Sequence, residues 1–186
     1  TSIDEDMPQA ITISQLMQSK GYTTISNGKV SHNQSDKAST WDELWRPRST
    51  TPKDYLLDEN IEASNLPHEN NHVPYEKANV EDQAYKDGKI AAKTIRDLKK
   101  LKANKESFFL AAGFLKPHLP FNAPAKYWDM YDSNKITPPV NNKFPATAYN
   151  GAGNWYELAK YKGVQKDFSE KPALNATTFT MDAEMT

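Results

Sequence analysis

The stretch that most constrains this chain is Phe108-Phe-Leu-Ala-Ala-Gly-Phe114, seven residues without a charged or hydrogen-bonding side chain. Such a run does not alternate between core and water. It predicts a strand covered on both faces, the habit of a central strand in a parallel sheet. A long amphipathic segment leads into it. From Val80 to about Ala103, Val80, Ala84, Gly88, Ala91, Ile95, Leu98 and Leu101 fall on one helical stripe. Lys86, Lys89, Lys93, Arg96, Lys99 and Lys100 occupy the other faces and read as a solvated surface. The same order, helix then strand, occurs near the start. Ile13, Leu16 and Met17 repeat at helical spacing within a helix over about 11–20, with Thr12 or Ser14 as its cap and Gly21 just past its end. Tyr22-Thr-Thr-Ile-Ser follows as a short strand, and Asn27-Gly28 closes it as a turn. Two helix–strand units predict an α/β fold with a mostly parallel sheet flanked by helices.

Between these units, residues 31–77 read as irregular. Pro47, Pro52, Pro67 and Pro74 interrupt the segment, and Trp41 and Trp45 are placed to pin it to the core. So long an excursion is usually functional or belongs to a larger assembly. Pro124 to Tyr131 reads as a short helix that packs through Tyr127, Met130 and Tyr131. After Ile136 the pattern fades into loops, and Phe179 to Thr186 looks like the beginning of a helix. The chain, 186 residues long, suits one domain, and its opening at Thr1 suggests further residues upstream.

Composition excludes several classes. A net charge of -1 gives no general attraction for nucleic acid or an anionic membrane, and no apolar run approaches a bilayer span. With no cysteine there is neither a disulfide nor a thiolate nucleophile or metal ligand. The oligomeric state stays open.

Two short motifs could carry chemistry. Gly28-Lys29-Val30-Ser31-His32 follows the first predicted strand, where a Lys and a His three apart can turn toward one anion. By spacing alone this reads first as an ordinary surface turn. Lys116-Pro117-His118-Leu119-Pro120 leaves the second strand, and its two prolines restrict the backbone around the imidazole. Sites in open α/β sheets form at such carboxyl ends of strands. A third motif, His68-Glu69-Asn70-Asn71-His72, matches the H-E-x-x-H pattern of zinc proteases. That pattern works only on a helix. Pro67 before it, Asn-Asn inside it and Val73-Pro74 after it argue against one, so it reads as a decoy. Glycosylation sequons occur at Asn33 and Asn175, and a glycan on Asn33 would crowd His32.

The run from Ser107 to Tyr131 closely resembles a segment of the iduronate-2-sulfatase-like sulfatases, members of the alkaline-phosphatase-like superfamily. Ile13 to His32 is similar to an earlier segment of the same family. A Trp-Asp-Glu stretch after the first motif and an Asp-Gly-Lys-Ile-Ala-Ala helix before the second keep the family's order. The resemblance covers roughly residues 10–135. It implies an α/β domain that hydrolyses sulfate esters of sugars or polysaccharides, with a formylglycine nucleophile beside a calcium ion. It further implies that Lys29 binds the sulfate and the nucleophile's hydroxyl, and that His32 hydrogen-bonds that hydroxyl. His118 would contact the sulfate near the leaving oxygen, with Lys116 as an additional substrate contact. Cationic donors fixed at strand ends suit a reaction that places charge on oxygen. Secretion, or a periplasmic or lysosome-like location, is implied by the family.

Departures from the pattern are equally specific. The Cys- or Ser-x-Pro-x-Arg nucleophile motif, the paired Asp of the first strand and the Asp-His-Gly metal segment are absent, and Ser31 stands where an aromatic is usual. The expectation is therefore a middle segment of a single catalytic domain, carrying the sulfate-binding side and supplying neither formylglycine nor calcium ligands, inactive in isolation. The rival readings are a catalytically inactive glycan- or anion-binding relative, a phosphodiesterase of the same superfamily, and, last, a zinc protease through His68 and His72.

Overall fold

A computed structural model describes residues 3–66, 72–137, 157 and 160–162. In chain order its elements are α1 (Ile3–Asp6), α2 (Ile13–Ser19), β1 (Thr23–Gly28), β2 (Glu43–Trp45), α3 (Asp58–Ser64), β3 (Tyr75–Ala78), α4 (Lys86–Asn104), β4 (Phe108–Gly113), β5 (Phe121–Pro124) and α5 (Ala125–Trp128). They fall into two compact units. One comprises Thr1–Thr50 and Val80–His118, the other Thr51–Asn79 and Leu119–Thr186.

The first unit holds a parallel sheet in the order β2-β1-β4. Its entry helix, α2, forms as its local sequence dictates. Thr12 caps it, its Oγ1 accepting from the Gln15 amide at 3.2 Å. At the far end Gly21 takes φ +80°, so that its amide reaches the Gln18 carbonyl and the Tyr22 amide the Met17 carbonyl. The face that packs is not the apolar one, however. Ser14 is the buried residue, bonded through its hydroxyl to Thr40 at 2.7 Å, whereas Ile13 and Leu16 are exposed.

The sheet corrects the choice of central strand. β1, with its polar sequence Thr-Thr-Ile-Ser-Asn-Gly, lies between β2 and β4 and is buried from Thr24 onward. Asn27 and Gly28 are not a separate turn. They are the last rungs of the ladder, opposite Ala112 and Gly113. The apolar β4 stands at the edge of the sheet among the described residues, and Phe108 and Phe114 are exposed. Two polar side chains of β1 find acceptors outside the strand, although Asn27 Oδ1 is buried without a partner among the described residues. Thr24 Oγ1 donates to Asp42 at 2.9 Å, and Asn27 Nδ2 donates to Asp97 at 2.7 Å.

Helix α4 starts later than the periodicity predicts, after a 3₁₀ turn at Asp82–Ala84. Gly88 lets the helix press against that turn, because a Cβ there would lie 1.7 Å from the Asp82 carbonyl oxygen. Its buried residues are Ile90, Lys93 and Leu101, while Ile95 and Leu98 of the expected stripe are exposed. Lys93 therefore leaves the solvated face on which the sequence had put it. Trp41 does pin the long excursion, stacking on Phe109 with ring centroids 5.7 Å apart, and Trp45 is built into β2.

In the second unit β3 and β5 pair in parallel, Tyr75 opposite Phe121. Buried Glu76 accepts from the Leu56 and Leu57 amides and from Asn60. The Tyr55 hydroxyl donates to the Val73 carbonyl. Helix α5 is one turn long. Trp128 packs on Tyr75 with centroids 5.4 Å apart, whereas Tyr127, Met130 and Tyr131 are exposed. His68 and Glu69 lie outside the described residues, as do Asn175 and residues 179–186. His72 is described. It forms an isolated parallel bridge with Tyr161, and its Nδ1 is 3.1 Å from the Ser64 hydroxyl. This is extended backbone rather than the helix a zinc-protease motif requires.

Candidate anion site at the sheet's carboxyl edge

Parallel pairing dictates where the two motifs emerge. Gly28 and Gly113 are register partners, so Lys29 and the segment beginning at Phe114 leave adjacent strands at the same edge. The Lys29 amide donates to the Gly113 carbonyl at 2.7 Å. Both glycines are required by the closeness of the chains. A Cβ on Gly113 would stand 2.2 Å from the Lys29 carbonyl carbon and oxygen, and one on Gly28, whose φ is +81°, 2.2 Å from the Gly113 oxygen.

The loop bearing Lys29 and His32 is held from the β2 side by Arg46. Its guanidinium spans three carbonyls: Nη2 donates to Ser31 at 2.7 Å, Nε to Gly28 at 3.3 Å and Nη1 to His32 at 3.4 Å. The Ser31 hydroxyl donates to the Asn33 carbonyl at 2.6 Å, which tightens the turn locally. In this arrangement Lys29 is half-buried and His32 exposed.

The second motif is held from α4. Asp87 accepts from the Leu115 amide at 2.8 Å and from the Lys116 amide at 3.0 Å. The His118 amide donates back to the Leu115 carbonyl, and the Lys116 ammonium donates to the His118 carbonyl at 3.0 Å. Lys116 thus braces the turn on which His118 sits, and the His118 side chain is exposed. The Lys116-Pro117 and Leu119-Pro120 peptides are both cis.

Beneath the end of β1 lies a charged network. The Lys93 ammonium is 2.5 Å from Glu43 and 2.9 Å from Asp97, and it sits 5.8 Å from the centroid of the Trp45 ring. Burial pulls the ammonium's pKa down, but the hydrogen bonds it donates to Glu43 and Asp97, with their negative charges, outweigh it and the net shift is upward. Asp97 also accepts from Asn27, so the network ties α4 to the residue just before Gly28 and Lys29.

Sequence reasoning missed Arg46 and Asp87. Arg46 has no local signature, because its three acceptors lie 14 to 18 positions upstream. Asp87 reads as a routine acidic residue in a helix's first turn. Its preference for backbone amides is the available signal, though here the amides belong to another element.

As for the groups the resemblance implies, among the described residues no set of three or more His, Asp or Glu side chains gathers to hold a metal ion. The chain has no cysteine to become formylglycine, and no Ser-x-Pro-x-Arg. Neither group has a seat among the described residues. Nor is any described helix long and apolar enough to cross a membrane.

The family model named Sulfatase matches residues 4–164. Iduronate 2-sulfatase of Mus musculus is 30% identical over 163 residues, and that of Homo sapiens 30% over 168. Each alignment covers 83% of this chain and 29% of the relative, so the chain spans under a third of their length. A match over most of its residues, with both motif loops inside it, places the chain in the sulfatase family.

Proposed function

We propose that this chain is the sulfate-binding part of a sulfuric ester hydrolase domain that acts on sulfated sugars or polysaccharides. The observation that carries the reading is the bond between the Lys29 amide and the Gly113 carbonyl, which brings the ends of both motif loops together. Lys29 supplies a fixed positive charge for the sulfate oxygens, and His32 and His118 supply imidazole donors on loops held by Arg46 and Asp87. His118 stabilises or protonates the leaving oxygen. Lys116, whose ammonium is engaged with the His118 carbonyl, contributes mainly by shaping that turn. Formylglycine and calcium belong to other parts of the same catalytic domain, which the relatives' greater length accommodates. The natural setting is a secreted, periplasmic or lysosome-like compartment.

The test is a titration of the chain with inorganic sulfate, followed by NMR, on the wild type and on Lys29→Ala, His32→Ala and His118→Ala. Wild-type binding that weakens at least about tenfold in Lys29→Ala, the loss expected for one charge-assisted contact, is the expected result. Equal affinity in all four proteins would sink the assignment. A parallel assay of the full-length protein on aryl sulfate and aryl phosphate esters separates sulfatase from phosphodiesterase chemistry. Turnover of neither would indicate an inactive anion-binding relative.

A further inference from the structure

Asn27 is a costly residue to place inside a sheet. It has no solvent exposure and stands on the central strand, with Trp45 and Ala112 as its register partners. Ile25, two residues back on the same face of β1, is an ordinary apolar core residue. The Asn27 carboxamide turns toward α4, where its Nδ2 donates to Asp97 at 2.7 Å and lies 3.4 Å from the Thr94 hydroxyl. Its Oδ1 is buried without a partner among the described residues. An orphaned acceptor costs stability, and a leucine of similar size would avoid that cost. Nor does Asp97 need the amide, since both of its carboxylate oxygens accept from Lys93. Stability does not account for Asn27, but its place before Lys29 does. The residue between them is Gly28, at φ +81°. A glycine has the widest choice of φ and ψ, so it does not by itself fix the direction of the chain beyond it. The peptide after Gly28 is held at both ends: its carbonyl accepts from Arg46, and the Lys29 amide donates to Gly113. The Asn27–Asp97 bond holds the chain on the other side of the glycine, against α4.

We propose that Asn27 is a positioning residue for Lys29: its carboxamide, anchored on Asp97 of α4, sets the direction in which Lys29 leaves the sheet. The inference deepens the sulfate-binding reading above and rests on it. Asn27 touches no sulfate. It acts by holding the last rungs of β1 in one orientation, so that the Lys29 ammonium meets the anion without first being ordered.

The experiment measures inorganic sulfate affinity by NMR and the urea midpoint on the full chain, for the wild type, Asn27→Leu, Asp97→Asn and Lys29→Ala. Asn27→Leu removes the anchor and the orphaned acceptor together. Its sulfate affinity is expected to fall about fivefold, within the range by which a residue out of contact with a ligand shifts its binding, while its urea midpoint stays at or above that of the wild type. Asp97→Asn keeps an acceptor for Asn27 and removes a counter-charge from Lys93. It should bind sulfate like the wild type and unfold at lower urea. A purely structural role predicts that affinity and midpoint move together in both variants, and that outcome overturns the proposal. So does wild-type affinity in Asn27→Leu; if Lys29→Ala still binds weakly, the assignment of Lys29 stands without it. A wild type that binds no sulfate, or a Lys29→Ala that binds as well as the wild type, overturns the sulfate reading itself and the positioning role with it.

Discussion

The amide of Lys29 meets the carbonyl of Gly113 across 2.7 Å, one residue beyond the last rung that joins β1 to β4. Two motifs more than eighty residues apart in the chain thereby become one edge. Everything proposed for the site depends on how closely those two backbones approach.

Gly113→Ala is predicted to disrupt that approach. The new methyl group would lie 2.2 Å from the Lys29 carbonyl, against backbone that cannot swing aside. We expect a loss of roughly 1–3 kcal/mol in urea denaturation, together with weaker sulfate binding. Gly21→Ala provides the contrast. Gly21 has φ +80°, but a methyl group there would meet nothing within 4 Å, so the cost is left-handed strain alone, about 1 kcal/mol, with sulfate binding intact.

Arg46→Lys preserves the charge and removes the fork. A lysine ammonium cannot span the carbonyls of Gly28, Ser31 and His32 from one planar group. Stability should fall by about 1 kcal/mol, while sulfate affinity should drop severalfold as the loop loosens. An unchanged sulfate titration would refute the bracing role.

Lys93→Met tests the network beneath β1. It leaves Asp97 and Glu43 without their cation, yet Glu43 is 46% exposed and retains water. The expected cost is therefore roughly 1–3 kcal/mol, short of that for a fully buried pair. Chemical-shift changes should centre on Asn27, which shares Asp97 with the lysine.

Asp42 makes stability acid-sensitive. The bond from the Thr24 amide, then those from Gln18 and the Thr24 hydroxyl, hold its carboxyl below the usual value of 3.8. A group depressed on folding contributes stability above its unfolded pKa and loses it as pH falls through the folded one. The stability of the wild type should therefore decline below about pH 4, the ordinary carboxylate range. Asp42→Asn should flatten that part of the profile, as read from thermal melts at pH 2–6.

Local rules were legible where they act alone. The Thr12 cap, Gly21 past the end of α2 and the helix–strand alternation all follow from propensity and period. The α/β class with parallel pairing followed from that alternation, and the family followed from Ile13–His32 and Ser107–Tyr131. Hydrophobicity misled where partners matter. An apolar run at Phe108–Gly113 looked central and stands at an edge among the described residues, whereas Thr24 and Ser26 of a short polar strand, and Asn27 read as its closing turn, are buried. The α4 lysines looked uniformly solvated, and Lys93 proved to be enclosed by acids from β2 and from its own helix.

The sequence by itself determined α2, α4, the short α5, the runs that become β1 and β4, and the two motifs, because capping, periodicity and backbone preference act within a few residues, whereas β2, α3 and β3 formed inside a stretch that reads as irregular. Only the tertiary structure decided which strand lies inside and which residues hold the loops. Those outcomes depend on hydrogen bonds and charges between residues distant in the chain. Spacing carries no record of such pairs, since burying a polar group is costly without a partner and the partners here come from elsewhere in the chain.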